Sequence, residues 1–428
     1  MTDHPTTARW LIVSYFSLID GMACAQHIDD RIAHLRNRGI DPLMLTGVCG
    51  KRWQGVVHER VMSAAPSGLR FELRHLKKRG GLARLGANLL NLLILPLYLL
   101  EKLCIDLDSQ WSWFPLAISR GRCLCRRHRP QLIYSTGGPA SAHLAAAVIA
   151  RREGLPWIAE FQDPLVHEDW LRSSRALKVF RWLERLICSR ADAVIFLTGQ
   201  ARENAAARTG LGDRGWTVYP GADPTALPDE APDQDGMCRF AHFGSLGGSR
   251  NLKVFLEGLQ LFLAERPQLA ATVGLDLYGS CDPLSQRLIE AFPYAGVVRA
   301  HGRIPRLASL SAMKRCGVLL LIQNTEEFSA ETIPSKTYEY LQVGRPILGL
   351  VHHNPELARM LADLGHTAAA ADSPEAVKQA IAGCYERWRS GAPPPRPQES
   401  PHTVAAAVAA IMAIAAAVGR QGSGGRHG

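Results

Sequence analysis

The stretch WLIVSYFSLIDGMACAQHIDDRIAHLRNRGIDPLMLTG, residues 10–47, decides how the chain folds. WLIVSYF is a short apolar run of buried-strand type, and a turn holding Gly21 follows it. IDDRIAHLRNRG has the spacing of an amphipathic helix that stops at Gly39, and DPLMLTG reads as a second strand. Strand, helix and strand in that order make a parallel crossover unit. The rhythm returns at QLIYST (131–136), the helix SAHLAAAVIARREG, the strand PWIAEF, a helix through RWLERLICSRA and the strand AVIFLT. Strands alternating with helices predict an α/β class with a doubly wound parallel sheet.

At VYPGADP (218–224) the rhythm breaks, and the following residues are rich in Pro, Asp and Gly, as a linker would be. A second α/β series starts at RFAHFG (239–244) and runs through NLKVFLEGLQLFLAER, LDLYG, VVRAHG, LASLSAMKRC, VLLLIQ, KTYEYLQVG and PILGLV. The predicted organisation is a first domain over 1–218, a linker over 219–236, a second domain over 237–395, a terminal helix over 400–419 and a disordered tail over 420–428. A chain of 428 residues suits two cores better than one, and 47% hydrophobic against 21% charged residues excludes wholesale disorder.

The net charge of +10 predicts an anionic ligand or partner. Ten cysteines without regular spacing, behind a start (MTDHPTTARW) that lacks a basic-then-apolar layout, predict free thiols in the cytoplasm. Cys123, Cys125 and His128 lack a second ligand pair, so zinc is not expected there. Basic residues are dense over Arg70–Arg84 and Arg120–Arg129, beside the apolar LLNLLILPLYLL and WSWFPLAI. Segment 70–129 is therefore expected to face an anionic membrane surface, peripherally. Its apolar run Leu89–Leu100, interrupted by Asn91 and Pro96, reads as too short to cross a bilayer. No nucleic-acid recognition motif is visible, and nucleic acid is not expected as a partner.

Three turns follow strands, where open α/β sheets bind ligands. The first carries Gly21. The second, FGSLGGSRN (243–251), places Gly244, Gly247 and Gly248 ahead of a helix with Arg250 at its entrance, a cradle suited to a diphosphate. The third, SAETIPSKTYEYLQVGRPIL (329–348), puts Pro334 in a first helical turn and Gly344 at the helix end. Ser335, Lys336 and Thr337 then cluster at a helix N-terminus, an anion site with an ammonium added. Glu339 lies one turn on and Glu331 precedes the helix, carboxylates that suit the hydroxyls of a nucleotide sugar. Lys336 and Glu339 read equally as a solvated surface pair.

The pair Glu331 and Glu339 together with IPSKTYEYLQVGRPIL resembles the donor-binding motif of the GT-B retaining glycosyltransferases of family four, with the bacterial surface-polysaccharide subgroup the nearest in appearance. SYFSLIDG, STGGPASAH, WIAEFQDPL, ADAVIFLT and VYPGADP resemble the family's other segments in order, from about Trp10 to Ala382. The resemblance implies two Rossmann-like domains facing a central cleft and sugar transfer, of hexosyltransferase type, from a nucleotide-diphosphate sugar to a glycan, polysaccharide or lipid-linked acceptor. It implies retention of configuration, with no metal and no cofactor. Glu339 would hold ribose hydroxyls, Glu331 would lie near the donor sugar, and Ser335, Lys336, Gly21, Gly244 and Arg250 would meet the diphosphate. Many members have Arg where this chain has Ser245 and His where it has Gln162, which leaves Asp163 as the acceptor-side polar group; His143 is a further candidate. The strings Asp106–Asp108 and Asp233–Asp235 follow no nucleotide-binding strand, so no metal is expected there. Two alternatives stay open: a basic protein that binds membrane or nucleic acid without catalysis, and a GT-B sugar-nucleotide epimerase.

Overall fold

The computed structural model describes residues 8–19, 22–76, 81–166, 173–223, 230, 235–393 and 400–424. They form two units: Met1–Tyr219 with Val404–Gly428, and Pro220–Thr403. In the first unit the elements run β1 (Ala8–Val13), α1 (Ala23–Asn37), β2 (Ile40–Gly47), β3 (Val57–Val61), α2 (Pro66–Leu76), α3 (Gly81–Cys104), α4 (Phe114–His128), β4 (Leu132–Gly137), α5 (Ala140–Glu153), β5 (Trp157–Phe161), α6 (Ser174–Arg190), β6 (Ala193–Phe196), α7 (Gly199–Arg208) and β7 (Gly215–Thr217). Among the described residues the sheet order is β3-β2-β1-β4-β5-β6-β7, and all pairs are parallel.

Strands β4, β5 and β6 are buried at every position, as a sheet covered on both faces demands. One face packs beneath Ile28, Ile32 and Leu35 of α1. The other packs beneath the alanines of α5, with Trp113 and Leu124. A C-terminal helix, numbered α14 below, adds Val408, Ile411 and Ile414 to the α1 side. Residues 420–424, read as the start of a disordered tail, are the end of that helix.

The 89–100 run is corrected as well. Pro96 and Asn91 do not break it, and α3 is continuous over 24 residues, with 85–104 long and apolar enough to cross a membrane. Asn91 stays within the helix because its Nδ2 donates to Ala87 O one turn back, at 2.9 Å.

The buried polar centre of this unit is Arg31 on α1, which meets Glu160 of β5 at 2.6 Å with both side chains out of solvent. Tyr134 and Thr136 of β4 donate to the other oxygen of Glu160 at 2.6 and 2.5 Å. Burial alone would raise this carboxyl, but the Arg31 guanidinium and the two hydroxyls overcome it and hold Glu160 below its usual range. Gln162 donates to Thr136 at 2.9 Å, so the same network fixes the end of β5.

The second unit runs β8 (Cys238–Phe243), α8 (Lys253–Glu265), β9 (Val273–Tyr278), α9 (Pro283–Glu290), β10 (Val298–Gly302), α10 (Arg306–Arg315), β11 (Val318–Ile322), α11 (Lys336–Val343), β12 (Ile347–Val351), α12 (Pro355–Asp363), β13 (Thr367–Ala370) and α13 (Pro374–Arg389). The chain then enters α14 (Val404–Gly424). The sheet order is β10-β9-β8-β11-β12-β13, again parallel among the described residues. Helix α9 was not read from the sequence; Asp282 starts it by accepting from Ser285 N. In each sheet the winding direction reverses once, between β1 and β4 and between β8 and β11. Such reversals leave a crevice at the strands' carboxyl ends.

Breaking the Arg31 pair would strand a buried carboxylate. Arg31→Met is expected to destabilise the first unit by about 3–5 kcal/mol in urea unfolding, and Arg31→Met with Glu160→Leu to recover much of that loss. A single-variant loss below about 1 kcal/mol would refute the reading.

Candidate functional site

The crevice between β8 and β11 is built on glycine. Gly244 follows β8 with φ +121°, and its N–H donates to Tyr278 O at 2.6 Å. Gly279 follows β9 with φ +147°, and a Cβ there would lie 2.0 Å from Gly244 O. At Gly244 itself a Cβ would lie 1.8 Å from Lys336 Nζ and 2.4 Å from its Cε. Both turns require glycine for their positive φ, and at Gly279 the approach of the Gly244 backbone adds a second reason. Beyond Gly244 the chain folds back on itself, with Gly247 N donating to Arg250 O at 2.9 Å and Arg250 N to Gly247 O at 3.2 Å. That turn brings Arg250 beside Lys336.

Lys336 opens α11 behind Pro334 and Ser335, and Gly344 ends the helix in the left-handed region. Burial, and then the positive charge of Arg250, push the Lys336 ammonium down to about 8 against the weaker pull of Glu339. Burial lowers Arg250 too, although Glu326 opposes it. The Nε of Arg250 is buried without a hydrogen-bond partner, and among the described residues Lys336 makes no ion pair. Below them His242, 1% exposed, approaches the Leu320 carbonyl with Nδ1 at 3.0 Å. Donation from Nδ1 leaves a lone pair on Nε2, which is buried without a partner. Burial, Lys336 and Arg250 push this imidazole down to about 3, so it is neutral. Two shielded cations over a neutral histidine form a site that asks for an anion.

The loop before α11 is held by side chains that sequence reading missed. Gln323, after β11, donates from Nε2 to Ser329 O at 2.6 Å and Thr332 O at 3.0 Å. Asn354 donates to the same carbonyls at 2.8 and 2.9 Å while capping α12 through Leu357 N at 2.9 Å. These amides fix buried Glu331 and the entry to α11. Glu339 is part-buried and meets Arg306, at the start of α10, at 2.9 Å. Thr337 is fully buried and its hydroxyl has no partner. Ser245 is exposed and accepts a hydrogen bond from Ser280 Oγ at 2.9 Å. Of the sequence-predicted residues, Gly244, Arg250, Lys336, Thr337 and Glu339 therefore gather around the start of α11, while Gly21 lies outside the described residues.

Asp163 belongs to the first unit, where it follows β5 and is exposed. His143 is fully buried, 2.9 Å from Ser135 Oγ and edge-on to Phe161, which makes it a packing residue. Asp106 accepts from Ser173 N at 3.3 Å. One group of three metal-ligand types does occur, His352, His353 and Asp372, whose ligand atoms lie within 4.8 Å of one another at the ends of β12 and β13.

A depressed lysine has a stability signature. Between about pH 8 and the ordinary lysine range the unfolded chain holds a proton that folded Lys336 has released, so this residue adds stability as pH rises through that window. Lys336→Met is expected to raise the melting temperature of the ligand-free protein at pH 7, with the gap from wild type narrowing above pH 8 in calorimetry. A variant less stable than wild type at pH 7 would contradict a shielded, unpaired ammonium.

Comparison with known proteins follows the same lines. Residues 23–221 match the glycosyl transferase 4-like domain family. No curated protein matches the chain in sequence. Solved structures do match in fold over nearly the whole length. The Anabaena protein Alr3699/HepE in complex with UDP has a TM-score of 0.58 at 13% identity, covering 97% of this chain and 98% of that one. The lipopolysaccharide outer core galactosyltransferase WaaB in its apo form gives 0.59 at 12% identity, covering 96% and 99%. An α,α-trehalose-phosphate synthase (UDP-forming) from Burkholderia vietnamiensis gives 0.64 at 12%, covering 97% and 100%. The chain thus has the GT-B fold, with two Rossmann-like domains, and residues 23–221 of its first domain are similar to the glycosyl transferase 4-like domain family.

Proposed function

We propose that the protein transfers a glycosyl group, of hexosyl type, from a nucleotide-diphosphate sugar to a hydroxyl of a glycan or lipid-linked acceptor, in the cytoplasm. The observation that carries this reading is the pair Lys336 and Arg250, two shielded cations at a strand-end crevice, of which Lys336 makes no ion pair among the described residues and Arg250 keeps a buried Nε without a hydrogen-bond partner. A diphosphate supplies the missing negative charge, and the first turn of α11 adds partial positive charge from its N–H groups. The fold relatives support a donor of this class, since HepE is solved with UDP. In this reading Glu339 exchanges Arg306 for ribose hydroxyls, and Glu331 faces the donor sugar. Ser335 and Thr337 offer hydroxyls to the phosphates, as Gly244 and Ser245 offer backbone N–H groups.

In the proposed step the bond between the anomeric carbon and the diphosphate oxygen breaks, and its electron pair leaves with the diphosphate. The acceptor oxygen bonds the same carbon from the same face. Its proton passes to the departing phosphate oxygen, so configuration is retained. Lys336 and Arg250 stabilise the charge that grows on the diphosphate, work that a metal ion does in other sites. Asp163 is the proposed polar group on the acceptor side.

UDP or GDP is expected to raise the melting temperature of the wild type by mass action, and Glu339→Ala to lose that rise while remaining folded. Affinity is expected to weaken as pH climbs past about 8, because Lys336 then loses its proton. With donor and a crude membrane-lipid acceptor, Lys336→Ala is expected to lose about a hundredfold or more in turnover. Inverted product stereochemistry would remove the proposed mechanism, and an unchanged rate in Lys336→Ala would remove the role of the ammonium.

A further inference from the structure

Helix α3 is built inside out. The face it turns to the protein carries Ala87, Asn91 and Glu101, all buried. Glu101 accepts from Ser67 N at 2.8 Å, Ser67 Oγ at 2.5 Å and Trp111 Nε1 at 2.6 Å. Arg70 of α2 donates to Asn91 O and lies 4.8 Å over the Tyr98 ring. The opposite side is leucine: Leu85 is 71% exposed, Leu93 66% and Leu103 76%, with Leu89, Leu97 and Leu100 also exposed. A helix on a water-facing surface has the reverse pattern, apolar inward and polar outward.

We propose that α3 lies within the apolar layer of an anionic lipid membrane, along its surface, as a one-leaflet anchor. The leucines then meet hydrocarbon, and the polar stripe stays hydrogen-bonded to the protein, which an apolar solvent requires. A spanning arrangement is ruled out by α2: Ser67 and Arg70 are bonded along one flank of α3, so lipid cannot surround it. The sequence entering the helix carries Arg74, Lys77, Lys78, Arg79 and Arg84, charge complementary to anionic headgroups. A second copy of the chain would instead bring two such basic runs together. This inference does not depend on the transfer reaction, and nucleotide-dependent stabilisation reports on that reaction separately.

The test is flotation of the full-length protein with phosphatidylcholine vesicles, with and without phosphatidylglycerol. Wild type is expected to float with the anionic vesicles and to remain partly bound in about 1 M salt, since only its charge contribution is screened. A variant with Leu89, Leu93, Leu97 and Leu100 all changed to Ser is expected to lose about tenfold or more in partitioning. Its circular dichroism and its response to UDP should be unchanged, because these side chains are exposed in the folded chain. Leu93→Trp should be quenched by lipids brominated in the acyl chain. Wild type that stays in the aqueous fraction with both vesicles, complete release by salt, or an unquenched Leu93→Trp would each overturn the proposal. A wild-type dimer that the four-serine variant dissolves, without flotation, would assign the face to a second copy.

Discussion

An ammonium held out of water against the α-carbon of a glycine sets the terms for the second domain. Lys336 Nζ occupies the space a Cβ at residue 244 would need. The turn after β8 is glycine because residue 244 takes φ +121°, and it stands where β9, through Tyr278 O, holds it. The ammonium arrives there because α11 begins at Lys336, and α11 begins there because Pro334 and the clamped 329–332 loop aim the chain. Each of these constraints depends on the one before it. The folded state bears the cost of a shielded cation, which is the pattern of a site preorganised for a ligand rather than for stability.

The two domains treat buried charge in opposite ways, and the contrast separates structure from function. In the first, Arg31 meets a carboxylate, and the carboxylate's second oxygen is filled by Tyr134 and Thr136. Gln162 ties the same network to the end of β5, where it acts as a strut. In the second, burial and then Arg250 push the proton affinity of Lys336 down, and a neutral histidine lies nearby with a vacant lone pair. Both centres lie toward the carboxyl ends of parallel strands. Only in the second does one cation depress the proton affinity of another.

What the sequence made legible was whatever depends on neighbours along the chain. Strand and helix periodicity gave both sheets, and Pro334, Lys336 and Gly344 marked the start and end of α11 because capping chemistry is local. Gly244 and Arg250 could be named for the same reason, being part of one short turn. Gln323, Asn354, His242 and Arg306 could not. Each matters through a residue elsewhere in the chain: Asn354 reaches Ser329, and Arg306 reaches Glu339. No spacing rule joins strands that are adjacent only after folding. His143 packs edge-on against Phe161, a contact that its position at a helix start does not reveal.

The reading of residues 89–100 as a broken run shows where a local rule fails. Asn91 and Pro96 count against a helix in water because each forfeits or competes for a backbone hydrogen bond. Here Asn91 returns its side chain to Ala87 O and also anchors Arg70 through its carbonyl, so it belongs to the seam with α2. Once the polar residues of α3 are assigned to the protein side, its leucines have only the outside to occupy. The apolar content of this helix is therefore surface. On the proposal made for α3, an anionic bilayer would meet both the positive charge of the chain and these leucines in one environment.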